Sequence, residues 1–441
     1  MFKNFYDSRV LRQIWSESAL FRRGLIVVAI YAVLRLLMQL YVINDPELFP
    51  DDLRIYLDAA RDLRNEQDLY PPLPLEHMEF YQYAPSFALA FVPFTWIPKM
   101  GAAVLHTFLH LIIYALLYTR WDTIFKRYDM PQARRVLVWT LPVWLVFSAF
   151  WNDIAYLNIY LFLALIATLL IEAVMEKRLG WSVVWLAIIL QCKPQWAFAA
   201  LLPLLLGEYR FFFKLAVWSL GVYLAIVGIT ILAVGPAYGW DQHKEYVHLL
   251  TGISGNYPWR GPDKPFLGYN HSLVQTAVYL FGDHTDVITG AKVIKLLLLA
   301  PLALVCIRCL RNPKAARETP ISFSLDLALA LYTAAFVWID VIWELSLGIA
   351  VFTYLLATMS RRRLRNGIAA VFLVYAVIDF WQIMSYTILG DAVVDEGWYV
   401  RTDPSLYIPL VLIVTLLFYS VLVARLWQAT ANFTEHRAAA Y

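Results

Sequence analysis

Long apolar runs separated by short polar segments make up most of the chain. A helix that crosses the ~30 Å hydrocarbon core of a bilayer needs about 20 apolar residues. Runs near that length occur at residues 24–43, 101–119, 154–172, 212–234, 288–307, 367–388 and 405–427, with shorter ones at 136–150, 323–339 and 342–358. The pattern predicts an all-α polytopic membrane protein, a bundle of about 10–12 transmembrane helices.

Two further apolar stretches are interrupted. Residues 84–98 contain three prolines, and residues 181–206 are divided by Lys193-Pro194. Backbone that is not helical is tolerated at membrane depth only where it lines a cavity in the protein. Both stretches therefore predict a cavity within the membrane region.

The distribution of basic residues predicts the orientation, because short loops rich in Lys and Arg stay cytoplasmic. Such loops lie at residues 1–23, 120–135, 308–317 and 361–365. The simplest topology with all four inside makes residues 84–98 a re-entrant or interfacial segment and residues 181–206 a V of two half-helices around Lys193. Both termini are then cytoplasmic, and the cavity opens on the outer side.

The same topology places residues 44–83, 235–287 and 389–404 outside. The first of these loops carries ten Asp or Glu residues and three Arg residues. Within it, apolar residues at helical spacing predict an amphipathic helix on the membrane surface; they are Leu53, Tyr56, Leu57, Ala60 and Leu63. No polar loop approaches the ~100 residues of a typical soluble domain. We therefore expect residues 1–441 to form a single transmembrane domain.

The composition agrees with this picture and excludes other classes. Hydrophobic residues make up 61% of the chain and charged residues 16%, whereas a soluble globular protein has about 25% charged residues. The net charge is only +3, and no basic stripe with interleaved aromatics predicts a nucleic-acid partner. Nucleotide-binding glycine loops, His/Cys metal-ligand spacings and hydrolase nucleophile motifs are absent from the sequence.

Asp51 and Asp52 are the first candidates for chemistry, with Tyr56 one helical turn later. Two adjacent carboxylates raise each other's pKa and could supply a general base. They could equally be the first-turn acids of a helix, where the helix dipole favours negative charge. The residues alone leave both interpretations open.

Lys193 is the sharpest candidate for binding an anion. A lysine inside an apolar segment is costly, which favours a functional role; the structural alternative is an ion pair with a buried carboxylate. Arg35, within the first apolar run, is expected to pair or to reach the interface for the same reason.

The other candidates lie in three polar clusters and each has a structural alternative. Asn152, Asp153 and Asn158 could cap or join helices. The Asn270-His271-Ser272 segment could cap a helix, although Arg260 and Lys264 in the loop before it suit a phosphate. The third cluster combines two indoles with two carboxylates, as expected for a sugar site; its residues are Trp338, Asp340, Trp343 and Glu344. Tryptophans at a membrane interface would give the same pattern.

Taken in order, these pieces resemble the polyprenol-phosphate-dependent glycosyltransferases of the GT-C superfamily. They are most similar to glycosyltransferase family 87, a group that includes α-1,2-mannosyltransferases. The resemblance covers roughly residues 20–430 and rests on the following motifs: Asp52-x-x-x-Tyr56, Ala59-Ala60, Leu69-Tyr70, Tyr83-x-Pro85, the Asn152 to Asn158 stretch, Lys193-Pro194 and Asn270-x-Ser272-Leu273. It implies a GT-C-type helical bundle in a prokaryotic inner membrane.

The resemblance also implies an activity, which is inverting transfer of a hexose, mannose, from a polyprenyl-phosphate sugar to a lipid or glycan acceptor. Asp52, or Asp51 in its place, would be the base, and no metal or nucleotide cofactor would be needed. The donor phosphate would contact Lys193, Arg260, Lys264 and His271. The sugar or acceptor would contact Tyr56, Tyr83, Asn152, Asp153, Asn158, Gln195, Asn270, Trp338, Asp340, Trp343 and Glu344.

Two other functions remain open on the sequence. A transporter or lipid flippase also contains broken helices and an intramembrane lysine, but this chain lacks paired broken segments in two corresponding halves. A scaffold without catalytic activity would tolerate alanine at the polar clusters.

Overall fold

The computed structural model describes residues 8–45, 49–76, 80–263, 270–389, 404–431 and 433, and every regular element among them is a helix. In chain order, α1 to α21 are Ser8–Glu17, Ala19–Asn44, Asp51–Arg64, Pro85–Phe91, Lys99–Arg127, Pro131–Trp139, Leu141–Val146, Ser148–Tyr156, Tyr160–Met175, Leu179–Cys192, Leu202–Leu205, Tyr209–Val234, Pro236–Asn256, Leu273–Phe281, Thr285–Arg311, Pro313–Arg317, Ile321–Trp338, Gly348–Thr358, Arg362–Ala376, Ile378–Leu389 and Pro404–Ala431. Two 3₁₀ helices are Val92–Trp96 and Pro194–Leu201. The all-α polytopic membrane fold is confirmed.

Six of the described helices are long and apolar enough to cross a membrane, and a pair of helices bent by 49° makes a seventh if the pair forms one span. The six are Ala19–Asn44, Lys99–Arg127, Tyr209–Val234, Thr285–Arg311, Ile321–Trp338 and Leu410–Ala431, and the pair is Pro131–Trp139 with Leu141–Tyr156. Large apolar side chains on them, such as Leu232 and Leu297, are exposed, as a lipid-facing surface requires. The predicted 10–12 spans are reached only if the shorter apolar helices also cross.

Besides the bent pair, two predicted spans are broken helices. The run at 154–172 is interrupted at Leu157, which has a left-handed conformation with φ of 52°. The carboxylate of Asp153 then accepts hydrogen bonds from the backbone N–H groups of Tyr160 (3.2 Å) and Leu161 (2.9 Å), and so caps the start of α9. The run at 367–388 is likewise two helices that meet at Val377. Apolar periodicity does not reveal such breaks, because both halves remain apolar.

The break predicted at Lys193 is confirmed. Helix α10 ends at Cys192, Lys193 is extended (φ −139°, ψ 94°), and a 3₁₀ helix begins at Pro194. Proline disfavours a helical conformation in the residue before it and cannot donate to the preceding turn. The second half differs from the expected half-helix, because it is mostly 3₁₀ rather than α.

The proline-rich stretch at 84–98 forms helix α4 followed by the 3₁₀ helix Val92–Trp96. At ~1.5 Å per residue in an α-helix and ~2 Å in a 3₁₀ helix, the two together are about 20 Å long. This length falls short of a crossing of ~30 Å. The segment is thus too short to span a membrane alone.

The amphipathic helix predicted in the first loop is α3, Asp51–Arg64. Its apolar residues do not face the membrane surface as predicted, because they are buried against α4 and the following 3₁₀ helix. The residues concerned are Leu53, Tyr56, Leu57, Ala60 and Leu63. Helix α3 is therefore part of the protein core, and the acids of its first turn are fixed by that packing.

The chain forms two compact units, each built from three separated stretches. The first unit comprises residues 1–50, 103–165 and 344–417, and the second comprises residues 51–102, 166–343 and 418–441. In the second, α3 packs on α4, α10 packs on α12, and α17 packs on the 3₁₀ helix Pro194–Leu201. That the units belong to a single domain remains a prediction.

Candidate active site

The second unit contains a cavity of about 470 Å³ whose wall combines apolar and polar side chains. Its polar lining residues are Gln82, Gln195, Ser254, Lys292, Lys295 and Asp340, and the indole of Trp338 forms part of the wall. A second cavity in this unit, at Lys177 and Glu208, has a volume of only about 60 Å³. Only the larger one has room for a sugar headgroup, and it combines charged groups with an aromatic ring.

Three motifs far apart in the sequence meet beside this cavity. Lys193 is buried, and its Nζ lies 5.1 Å from the ring centroid of Tyr83. The hydroxyl groups of Tyr83 and Tyr56 share a hydrogen bond of 3.0 Å. Gln82 and Gln195, next in sequence to this group, line the cavity. The break at Lys193, the start of the proline-rich stretch and α3 therefore contribute to one region.

The two interrupted stretches are also joined directly. The backbone N–H of Ala84 donates to the carbonyl oxygen of Gln191 over 3.3 Å, and the Ser86 hydroxyl donates to the side-chain oxygen of Gln191. Tyr83 stacks on Phe87 with ring centroids 4.5 Å apart. These contacts connect the start of α4 to the end of α10. They also fix the position of Tyr83, whose ring faces the Lys193 ammonium group.

Asp51 and Asp52 occupy the first turn of α3 and are half-buried. Asp51 forms an ion pair with Arg54, one turn later. Asp52 lies on the same face of the helix as Tyr56, four residues on. Neither carboxylate is among the described residues that line the cavity. The structure thus places Asp52 one helical turn from the Tyr56–Tyr83 pair and leaves its role as a base as a prediction.

Tyr70 and Tyr81, two tyrosines near this region, do not act as bases near neutral pH. Burial raises the pKa of Tyr70 and of Tyr81 well above the usual value for tyrosine. The Tyr70 hydroxyl donates to the carbonyl oxygen of Tyr83 over 2.7 Å, and the Tyr81 hydroxyl donates to that of Ala84 over 2.8 Å. Both stay protonated and serve as hydrogen-bond donors that fix the backbone at residues 83 and 84.

Asp340 lies in an irregular turn after α17 and is held from several sides. Its carboxylate forms an ion pair with Lys295 and accepts a hydrogen bond of 2.6 Å from the Ser254 hydroxyl. The Asn270 side chain donates to the carbonyl oxygen of Asp340 (2.8 Å) and accepts from the backbone N–H of Ile342 (3.0 Å). Asn270, predicted to contact sugar or acceptor, is thus engaged in shaping the turn that carries Asp340.

The predicted phosphate ligands of the second loop have different surroundings. His271 is buried, and its backbone N–H donates to the carbonyl oxygen of Ile342 over 2.8 Å. The backbone of Arg260 is bound by the side chain of Gln275, and the residue as a whole is half-buried. Lys264 lies outside the described residues.

The remaining predicted residues, except Trp343, lie in the first unit. Asn152 donates to Glu344 over 2.7 Å, and the hydroxyl of Tyr375 donates to the other carboxylate oxygen of Glu344. Asp153 caps α9, and Asn158 accepts at its carbonyl oxygen a contact of 2.6 Å from His110. These contacts match the structural interpretation of Asn152, Asp153 and Asn158, in which the three residues cap or join helices. Trp343, half-buried, belongs to the second unit.

Gln82, Ser254, Lys292 and Lys295 line the cavity but are not among the site residues that the sequence predicts. The signal was present, because Lys292 and Lys295 are three residues apart in the apolar run at 288–307. Charged residues within such a run indicate a functional site by the same argument that selects Lys193. Ser254 has no comparable signal. Among the residues with known placement, no group of three or more His, Cys, Asp or Glu side chains could hold a metal ion.

Comparison with known proteins gives one match. Residues 81–338 match glycosyltransferase family 87, and no curated protein or solved structure matches the chain. The matched region is more than half of the chain and includes Tyr83, Lys193 and most of the cavity lining; Asp52 and Asp340 lie outside it. The chain therefore belongs to glycosyltransferase family 87 and is a membrane glycosyltransferase.

Proposed function

We propose that this protein transfers mannose from a polyprenyl-phosphate donor to a lipid or glycan acceptor at the outer face of an inner membrane, with inversion at the anomeric carbon. The observation that carries the proposal is the cavity of about 470 Å³, whose wall combines lysines, a carboxylate and an indole. Family membership supports the reaction class, and the resemblance to α-1,2-mannosyltransferases supports the sugar.

The chemistry needs a base for the acceptor and positive charge for the departing phosphate. In the proposed reaction, Asp52 removes the proton from the acceptor hydroxyl, whose oxygen forms a bond to the anomeric carbon. The bond from that carbon to the phosphate oxygen breaks, and its electron pair leaves with the polyprenyl phosphate. Lys193 binds the phosphate, assisted by Arg260, Lys264 and His271 of the second loop. The donor already supplies a good leaving group, so the step requires no nucleotide.

The sugar fits the wall formed by Trp338, Gln82, Gln195 and Asp340. An indole face packs against the C–H groups of a hexose, while amide and carboxylate oxygens accept hydrogen bonds from its hydroxyls. Tyr56 and Tyr83, whose hydroxyl groups share a hydrogen bond, are the further residues proposed to contact the sugar or the acceptor. The proposed topology, with cytoplasmic termini and an outward-facing site, follows from the distribution of basic loops.

The test is transfer of radiolabelled mannose from synthetic polyprenyl-phosphate mannose to a membrane lipid extract by purified protein. We expect Asp52→Asn to lower the rate at least a hundredfold, because general base catalysis contributes about 10²–10⁴-fold. Asp58→Asn is the matched control, because Asp58 lies on the same helix in a largely exposed ion pair with Arg61. It should transfer at the wild-type rate.

Equal transfer by Asp52→Asn and the wild type, with both proteins folded, would refute the assignment of the base. Loss of transfer in Asp51→Asn alone would move that role to Asp51. No transfer by the wild type with any polyprenyl-phosphate sugar would favour transport of a lipid over transfer of a sugar.

A further inference from the structure

Lys295 occupies an unusual position for a charged residue. It lies ten residues into α15, a helix apolar enough to span a membrane, and only 4% of its surface is exposed. Its ammonium group forms an ion pair with Asp340 and lies 5.6 Å from the ring centroid of Trp338. Placing a lysine here is costly, and a purely structural core would use an apolar residue.

Asp340 fixes the ammonium group of Lys295 at the cavity wall. One carboxylate oxygen of Asp340 contacts Lys295, and the other accepts the hydrogen bond from Ser254. The turn that carries Asp340 is held by Asn270. Because both oxygens and the backbone of Asp340 are engaged, the position of the Lys295 ammonium group is determined before any ligand binds.

Lys292 lies one turn before Lys295 on the same face of α15. Its side chain also lines the cavity, and unlike Lys295 it is exposed. The charged residues lining the cavity are therefore two lysines and one aspartate, a net charge of +1 when all are ionised. A cavity of this charge, with amide and hydroxyl donors beside it, suits an anion that carries further polar groups.

We propose that Lys292 and Lys295 form a phosphate subsite in the cavity, that Asp340 is the positioning residue for Lys295, and that the two lysines act together with Lys193 on the phosphate of a polyprenyl-phosphate sugar. The identity of the ligand rests on the proposed function. The phosphate of the donor is a diester with one negative charge, which matches the net charge of the wall. Sugar transfer leaves a phosphate monoester with a charge of about −1.5 to −2, so this subsite binds the product more tightly than the donor.

Binding rather than turnover tests the subsite. The affinity of purified full-length protein in detergent is measured for a short-chain polyprenyl phosphate and for the same polyprenol without phosphate. We expect Lys292→Met to weaken binding of the phosphate lipid about tenfold to a hundredfold, the range for a lost hydrogen bond to a charged group. The affinity for the polyprenol should not change. Lys292 is exposed, so this variant is expected to fold.

Lys244→Met is the matched control, because Lys244 lies in the same unit in an exposed ion pair with Asp241. It should bind both lipids as the wild type does. Asp340→Asn removes the carboxylate that fixes the Lys295 ammonium group and is expected to weaken binding of the phosphate lipid, with the affinity for the polyprenol unchanged. A purely structural role for the Lys295–Asp340 pair predicts equal weakening for both lipids.

Unchanged affinity for the phosphate lipid in Lys292→Met would overturn the subsite. So would equal binding of phosphate lipid and polyprenol by the wild type. Inorganic phosphate is also tested as a competitor of the phosphate lipid. If it displaces the lipid when both are present at the same concentration, the subsite binds a free anion rather than the lipid. A wild type that binds the phosphate lipid through Lys292 but transfers no sugar would instead leave the subsite standing and contradict the proposed function.

Discussion

Lys193 shows how much a single residue and its neighbour determine. Pro194 ends α10 and keeps Lys193 extended, so the backbone N–H of Lys193 makes the last helical hydrogen bond of α10, to the carbonyl oxygen of Ile189. The sequence predicts both the break and the cost of the charge. Its partner, the ring of Tyr83, is more than a hundred residues away and comes from packing between two segments, so no local pattern could identify it.

The Tyr83 ring and its hydroxyl have separable roles. Tyr83→Phe removes the hydrogen bond to Tyr56 and should cost about 1 kcal/mol of stability. Tyr83→Leu also removes the ring beneath the Lys193 ammonium group, and cation–π contacts contribute about 0.5–2 kcal/mol. We therefore expect the leucine variant to unfold at a clearly lower temperature and to transfer sugar at least tenfold more slowly. Thermal unfolding and transfer rates, measured on both variants, check this; equal behaviour would contradict the cation–π role.

At the level of secondary-structure elements, apolar periodicity predicts the helices but only some of their interruptions. The interruption at Lys193 was predicted because proline marks it. The break at Leu157 was not, because neither glycine nor proline stands there and Asp153 stabilises the break by capping the next helix. The amphipathic pattern of α3 was recognised, but periodicity does not distinguish burial against protein from burial in lipid. Packing against α4 decided that question.

The irregular turn that carries Asp340 depends on one side chain. Asn270→Ala removes the hydrogen bonds to the backbone of Asp340 and Ile342 and leaves buried groups without partners. We expect a loss of about 1–3 kcal/mol in unfolding free energy and at least a tenfold fall in transfer. Asn256→Ala is the control, because Asn256 bonds one carbonyl within its own helix. Denaturant titration measures both, and an equal loss in the two variants would refute the role of Asn270.

Across the whole molecule, the few charged residues inside apolar helices indicate where ion pairs and candidate binding residues lie. Arg35 was expected to pair, and in the first unit it forms a buried ion pair of 2.8 Å with Asp379. Asp379 was not predicted, because it lies in a run that appeared to be a single span. Lys292 and Lys295 were missed in the same way. Charged residues within apolar runs therefore indicate which segments carry ion pairs or a site. Which charges pair with one another is seen only in the three-dimensional structure.

The Arg35–Asp379 pair should determine the stability of the first unit. Arg35→Met leaves the Asp379 carboxylate buried without its cation, and breaking a buried pair costs about 3–5 kcal/mol. Combining it with Asp379→Asn removes the stranded charge, so the double variant should regain part of this loss. Thermal unfolding in detergent gives the answer. A double variant as unstable as the sum of the two single variants would show that the two residues do not interact.

The proposed function requires that a polyprenyl phosphate, and no nucleotide, carries the sugar to this protein. The most direct measurement supplies purified wild-type protein in vesicles with labelled mannose on a polyprenyl phosphate or, separately, on a nucleotide. We predict transfer to the acceptor from the lipid donor only, with one polyprenyl phosphate released for each mannose transferred. Transfer from the nucleotide sugar would contradict this account, as would movement of the lipid donor across the vesicle membrane with its mannose still attached.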